Sequence, residues 1–147
     1  MLMQHLAVHR EYIDMQGDAI TEAAVAEMLE DGEVQRHVRR VRCVYRDRRD
    51  RLVDLLRQTF GARLEFDVPD GGVALWVRAA DLDMSAWAAA ALRHKVAFQS
   101  AEHFDFQSRP LPAARLGFAC LDDAELREAM RRLRTALDDL EPRRYSA

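Results

Sequence analysis

The stretch Ala113-Ala114-Arg115-Leu116-Gly117-Phe118-Ala119 decides how this chain of 147 residues folds. It follows a loop marked by Pro110 and Pro112 and precedes a helix start at Asp122, so it reads as a short strand. Alternation sends Leu116 and Phe118 to one face and Arg115, Gly117 and Ala119 to the other. The second face sets a long guanidinium beside a residue with no side chain. Two readings follow: an edge-strand arginine in water, or a rigid fork of donors held over a space that takes a planar anion such as a carboxylate.

Working back from this strand, Gln99–Pro112 reads as a long loop and Val96–Phe98 as a short strand. Met84–His94 reads as a helix capped by Asp81 or Asp83, burying Met84, Trp87, Ala88, Ala91 and Leu92. Leu64, Phe66 and Val68 alternate with charged residues as a half-buried strand does. Pro69-Asp70-Gly71-Gly72 is a turn: proline fixes one dihedral and the glycines permit positive φ. Val73–Val77 returns as a partner strand, apolar on both faces and so central. Upstream, Asp18 caps a helix with an Ile20, Ala24, Val25, Met28, Leu29 stripe that stops at Gly32. A long helix follows from about Glu33 to about Gln58. Downstream, Asp122 and Glu125 form a capping-box pair for a helix with Leu126, Met130, Leu133 and Leu137 on one stripe.

The predicted order is α-α-β-β-α-β-β-α, an α+β fold with a small antiparallel or mixed sheet and helices packed on it. One domain is expected overall: residues 1–17 as a lead-in cut from something larger, 18–60 as two helices including a long bracing helix, and 61–147 as a small α+β unit. The composition, 49% hydrophobic and 32% charged, is that of a water-soluble globular chain. No apolar run reaches a membrane span and no secretory signal is visible, so a cytoplasmic protein with no membrane partner is expected. Cys43 and Cys120 lack metal or redox spacing and read as buried or incidental thiols.

Other chemistry is thin. Arg36, Arg39, Arg40, Arg42, Arg46, Arg48, Arg49 and Arg51 crowd the long helix, where they form either a solvated or interdomain face or a phosphate-binding one. A net charge of −3 gives no overall pull toward nucleic acid. His5 and His9 stand at i, i+4 without a third ligand, so no metal is expected. His103 and Phe104 lie in the long loop, where a histidine either touches a ligand or simply faces water. Lys95 is the single lysine; it stands between helix and strand and reads as a surface residue, not a Schiff-base amine. No glycine-rich phosphate loop follows a strand.

Several of these pieces, in order, resemble one family. They are Gly32-Glu33-Val34-Gln35-Arg36-His37-Val38-Arg39-Arg40-Val41-Arg42, then Tyr45 and Arg48-Arg49-Asp50, then Pro69-Asp70-Gly71-Gly72 with Leu75-Trp76, and Ala114-Arg115-Leu116-Gly117-Phe118-Ala119 with Glu125. The run from about Gly17 to Leu140 resembles the C-terminal small domain of fold-type-I pyridoxal-phosphate aminotransferases. More closely, it resembles the aminotransferase-like half of MocR-type regulators of the GntR superfamily.

The resemblance implies that Arg115 clamps the carboxylate of an amino-acid substrate or effector, with Gly117, His103 and Phe104 bordering the site. It implies pyridoxal 5'-phosphate as cofactor of the intact family protein, held by residues upstream of this chain, and a homo-oligomer. DNA contact in a regulator belongs to an N-terminal winged helix that this sequence does not contain. No catalytic or cofactor-binding residue is assigned here, and this chain alone is expected neither to hold the cofactor covalently nor to transaminate. The sequence departs from the family at Ser100-Ala101, where a Pro-Gly pair is usual. The expected function is the C-terminal part of an aminotransferase-like regulator closing over the cofactor. The alternatives are the small domain of a genuine aminotransferase, or a free-standing interaction or nucleic-acid-binding module.

Overall fold

The computed structural model describes residues 2–13 and 17–141. Residues 1 and 14–16 of the expected lead-in, and 142–147 at the end of the expected α+β unit, lie outside the described residues. Among the described residues there are five α-helices and four strands. They run α1 (Leu2–Ile13), α2 (Ala19–Glu30), α3 (Glu33–Phe60), β1 (Glu65–Phe66), β2 (Ala74–Arg78), α4 (Met84–Arg93), β3 (Gln99–Ser100), β4 (Ala113–Gly117) and α5 (Asp123–Asp138). The expected order holds from α2 onward, and the structure adds α1 within the segment read as a lead-in. The chain forms two compact units, one within Met1–Arg42 and one within Cys43–Ala147.

Local chemistry sets the helix ends. Asp18, Asp83 and Asp122 each accept backbone N–H bonds from the first turn of α2, α4 and α5, and Asp122 with Glu125 completes a reciprocal capping box. Gly32, at φ +73, provides the left-handed residue between α2 and α3. At the end of α4 that role falls to Lys95, at φ 62. The Val96 N–H reaches back to the Ala91 carbonyl and the Lys95 N–H to the Leu92 carbonyl, so two terminal carbonyls are satisfied.

The sheet order is β1-β2-β4-β3, all antiparallel. Leu75 opposes Leu116 and Val77 opposes Ala114, all four buried, so one face of the central pair is core. Leu52, Leu55, Leu56 and Phe60 of α3, Met84, Trp87, Ala90 and Ala91 of α4, and Leu126, Met130, Leu133 and Leu137 of α5 cover that face. Trp87 is fully buried, with its ring edge-on to Phe60 (centroids 5.4 Å apart) and Phe98 (5.0 Å). Its Nε1–H donates to the Leu133 carbonyl at 3.1 Å, which spares the indole an unpaired donor. Burying each such large side chain contributes about 1.5–3 kcal/mol.

Several expectations need correction. The third strand is Gln99–Ser100, not Val96–Phe98, because only Gln99 and Ser100 pair with β4. The long loop therefore contains that strand and a 3-10 turn, Ala101–Phe104. The first strand shrinks to two residues and leaves Val68 41% exposed. Leu92 is 65% exposed, since Ala90 and not Leu92 completes the buried stripe of α4. Both cysteines are exposed.

The arginines of α3 have intramolecular uses. The Arg48 guanidinium donates to the Ala119 carbonyl, and Arg49 donates to the Pro69 carbonyl at 2.7 Å. Arg51 Nε stands 2.9 Å from an Asp123 carboxylate oxygen, and Arg36 pairs with Glu33. Arg48, Arg49 and Arg51 thus tie α3 to the end of β4, the hairpin loop and the start of α5.

Candidate functional site

The face of the sheet away from the core carries the chemistry. Arg115 is half-buried on β4, with Trp76 of β2 directly opposite on one side and Gln99 of β3 on the other. Directly opposed residues of an antiparallel pair have Cβ atoms about 4.5–5.5 Å apart. Arg115 is therefore bracketed by an aromatic ring and an amide, both fixed by register. Its Nη1 reaches Gln99 Oε1 at 3.4 Å, a long bond to a neutral acceptor. Among the described residues no carboxylate lies within ion-pair distance of Arg115, whereas Arg78 pairs with Asp67 and Arg63 with both Asp81 and Glu141. A guanidinium has five donors, and the Gln99 bond uses one of them.

Arg115 and Gly117 line an open concavity of about 430 Å³ with Val73, Ala97, Phe98 and Gln99. Ala119, Cys120 and Leu121 complete its wall, so Arg115 brings the only formal charge to it. A Cβ at Gly117 would meet only the Val73 carbonyl oxygen, at 3.9 Å, so the space above Gly117 is open. The arrangement suits a small carboxylate whose remainder is uncharged.

The other two expected residues lie on the 3-10 turn. Phe104 meets Trp76 edge-on at 5.9 Å between centroids, and His103 meets Phe104 edge-on at 5.2 Å. Neither lines the concavity; they form an aromatic rim reaching Arg115 through Trp76. The turn's exit is fixed by Asp105, whose carboxylate takes Arg109 Nη2 at 2.7 Å, Arg109 Nε at 3.1 Å, and the backbone N–H groups of Gln107 and Arg109. The Arg109 side-chain bond, first, and its backbone bond hold the Asp105 carboxyl below its ordinary value. Trp76 and Gln99 were not singled out in the sequence as site residues. The signal for both is the cross-strand register with Arg115, which a single sequence does not reveal.

A carbonyl cofactor held as an imine needs a lysine amine aimed into the site. Lys95 lines a separate groove with Val96, Ala97, Glu125, Glu128 and Arg132, not the Arg115 concavity. The residues of this chain therefore do not fit covalent attachment of pyridoxal 5'-phosphate at this site. Among the described residues no group of three or more His, Cys, Asp or Glu could hold a metal ion. None of the helices described is long and apolar enough to cross a membrane.

Comparison with known proteins gives a consistent picture. The model of the family described as aminotransferase class I and II matches residues 4–133. A probable rhizopine catabolism regulatory protein, MocR, of Rhizobium meliloti is 34% identical over 125 residues, covering 83% of this chain. The transcriptional regulator NorG of Staphylococcus aureus is 29% identical over 52% of it. This chain spans 25% of the MocR length and 17% of the NorG length. Among solved structures, the α-aminoadipate aminotransferase LysN of Thermus thermophilus, complexed with N-(5'-phosphopyridoxyl)-L-leucine, superposes with a TM-score of 0.80 at 27% identity. It covers 95% of this chain, which in turn covers 36% of LysN. The kynurenine aminotransferase of Pyrococcus horikoshii shares the fold, with a TM-score of 0.82 at 20% identity over 96% of the chain. With the family match running through both compact units and through β4, the chain belongs to the class I and II aminotransferase family.

Proposed function

We propose that this chain is the effector-gripping, C-terminal part of an aminotransferase-like transcriptional regulator. In this reading residues 61–147 close over a cofactor held elsewhere in the intact protein, and residues 18–60 join the two bodies. Arg115 takes the carboxylate of an amino-acid-like effector in a forked, charge-assisted pair. Gly117 leaves room for it, and Phe104 and His103 border it. Pyridoxal 5'-phosphate belongs to the intact protein, which works as a homo-oligomer in the cytoplasm and contacts DNA through a separate domain. The observation that carries the reading is a half-buried arginine with no acidic partner among the described residues, in a concavity whose lining has no other charge. The MocR and NorG similarities support the regulator over the enzyme.

The second reading, the small domain of a genuine aminotransferase, is favoured by LysN, a transaminase at 27% identity over 95% of this chain. Assay of the intact protein separates the two: the regulator binds an amino acid with no net transamination.

The carboxylate site is tested by titrating this chain with L-leucine and with benzoate in 1H–15N NMR. Saturable shifts are expected at Arg115, Gln99, Gly117 and Trp76. Arg115→Leu should weaken binding by about 1.5–3 kcal/mol, the worth of a hydrogen bond to a charged group. Equal affinity in the variant would remove the assignment.

A further inference from the structure

Gln99, on one side of Arg115, and the turn whose Phe104 meets Trp76, on the other, are both joined to one small polar cluster at the first turn of α4. The hydroxyl of Ser85, in that turn, lies 2.6 Å from Glu102 Oε2 and 3.2 Å from Ser100 Oγ. Ser85 has one proton to donate, and the carboxylate takes it at the shorter distance, so the Ser100 hydroxyl donates in the other bond. All three residues are half-buried. Ser100 follows Gln99, which accepts from Arg115, and Glu102 lies in the 3-10 turn that delivers Phe104 to Trp76. Ala101 between them is buried, 1% exposed, so the turn is anchored by packing at one residue and by hydrogen bonds at the two beside it.

Beyond the Asp105 bonds at its exit and the Phe104–Trp76 contact, the turn has little else to hold it. Strand β3 contributes only two residues of pairing to β4, and the segment before it makes no ladder. Two residues of edge strand do not fix a following turn against fraying. The charge-assisted bond from Ser85 to Glu102 is the strong link, and it places a carboxylate near the N-terminus of α4, where the helix dipole favours negative charge.

We propose that Ser85, Ser100 and Glu102 are positioning residues for the Arg115 site. Their hydrogen bonds pin β3 and the 3-10 turn to α4, and so hold Gln99 beside Arg115 and Phe104 against Trp76 before a ligand arrives. The proposal rests on the carboxylate-site reading above. It adds that ligand affinity depends on a serine hydroxyl on the far side of the sheet edge, which touches no ligand.

The test uses this chain, with benzoate as the probe and two readouts. The first is the emission and acrylamide quenching of Trp76 without ligand; Trp87 is fully buried and gives a constant background. The second is benzoate affinity by NMR, measured well below the melting temperature of each variant. Ser85→Ala and Glu102→Ala should both make Trp76 more quenchable and lower benzoate affinity about three- to tenfold, the range for one lost hydrogen bond. Ser85→Thr keeps the hydroxyl and should restore both readouts. A merely structural role would lower the melting temperature while leaving the affinity of the folded protein and the Trp76 signal unchanged; that result overturns the proposal. Failure of the underlying reading has a different signature: Arg115→Leu would then bind benzoate as the unaltered chain does, and the proposal falls with it. If Arg115→Leu is defective and Ser85→Ala is not, the site stands and the pin is refuted.

Discussion

A methyl group added at Gly117 would rest 3.9 Å from the Val73 carbonyl oxygen, ordinary van der Waals contact. Glycine inside a strand costs conformational entropy, so Gly117→Ala should leave stability unchanged or raise it by up to about 1 kcal/mol. The same methyl stands over the concavity beside Arg115 and should lower carboxylate affinity. Melting temperature and NMR titration together check the pair, and unaltered affinity would show that the ligand does not pass over Gly117. Lys95 presents the opposite case, since a non-glycine residue is held there at φ 62. The left-handed conformation costs an L-residue about 1–2 kcal/mol, so Lys95→Gly should raise the melting temperature. Denaturant unfolding checks it; a fall would mean that the lysine side chain makes contacts worth more than the strain. At this scale the shared face of Arg115 and Gly117 is legible because strand alternation alone puts them there. Trp76 and Gln99 stayed hidden because their meeting with Arg115 depends on the register between separate strands.

Helix α5 joins a full capping box to a surface network in which Glu128 receives Arg131 at 2.6 Å and Arg132 at 2.7 Å. The side-chain bonds from Arg131, and then Arg132, lower the Glu128 pKa from 4.5 to about 2. A carboxyl depressed in the folded state adds stability that is fully present above its unfolded value, and this is lost as pH falls through the folded one. The Glu128 contribution should therefore fade between about pH 4.5 and pH 2. Glu128→Gln should flatten that part of the melting-temperature profile, and 0.5 M salt should shrink the difference because the network is exposed. Parallel profiles for variant and parent would remove Glu128 from the acid response. The helices were legible as elements because their caps are local: Asp18, Asp83 and Asp122 act within three residues of themselves. The third strand was misread for a physical reason. Val96 spends its N–H on the Ala91 carbonyl to finish α4, so an apolar run that reads as a strand is partly the tail of a helix. Helix α1 was missed because its apolar residues follow no single period.

On the scale of the whole chain, the core formed by the described residues lies within 43–147, with Trp87 in it, while α2 of the first unit has no buried residue. Composition could not foretell that division, because Ile20, Val25, Met28 and Leu29 supply as regular an apolar stripe as the buried helices do. In this chain Ile20 is 84% exposed and Val25, Met28 and Leu29 are each 46% or more. Segments that bury little apolar surface open at low free-energy cost, so they exchange amide hydrogens and admit proteases first. Brief trypsin treatment should therefore cut at the exposed Arg36, Arg39, Arg40 and Arg42 before any arginine from 48 to 134. Arg48, Arg49 and Arg51 are held by Ala119, Pro69 and Asp123, and the Arg109–Pro110 bond resists the enzyme. The large product should keep the far-ultraviolet spectrum of an α+β protein and the combined Trp76 and Trp87 emission of the uncut chain. Amides of α5 should be the slowest to exchange. First cuts between Arg48 and Arg57 would show instead that the second half of α3 is no part of the stable core. The contacts of Leu52 and Leu56 with that core would then have to be given up.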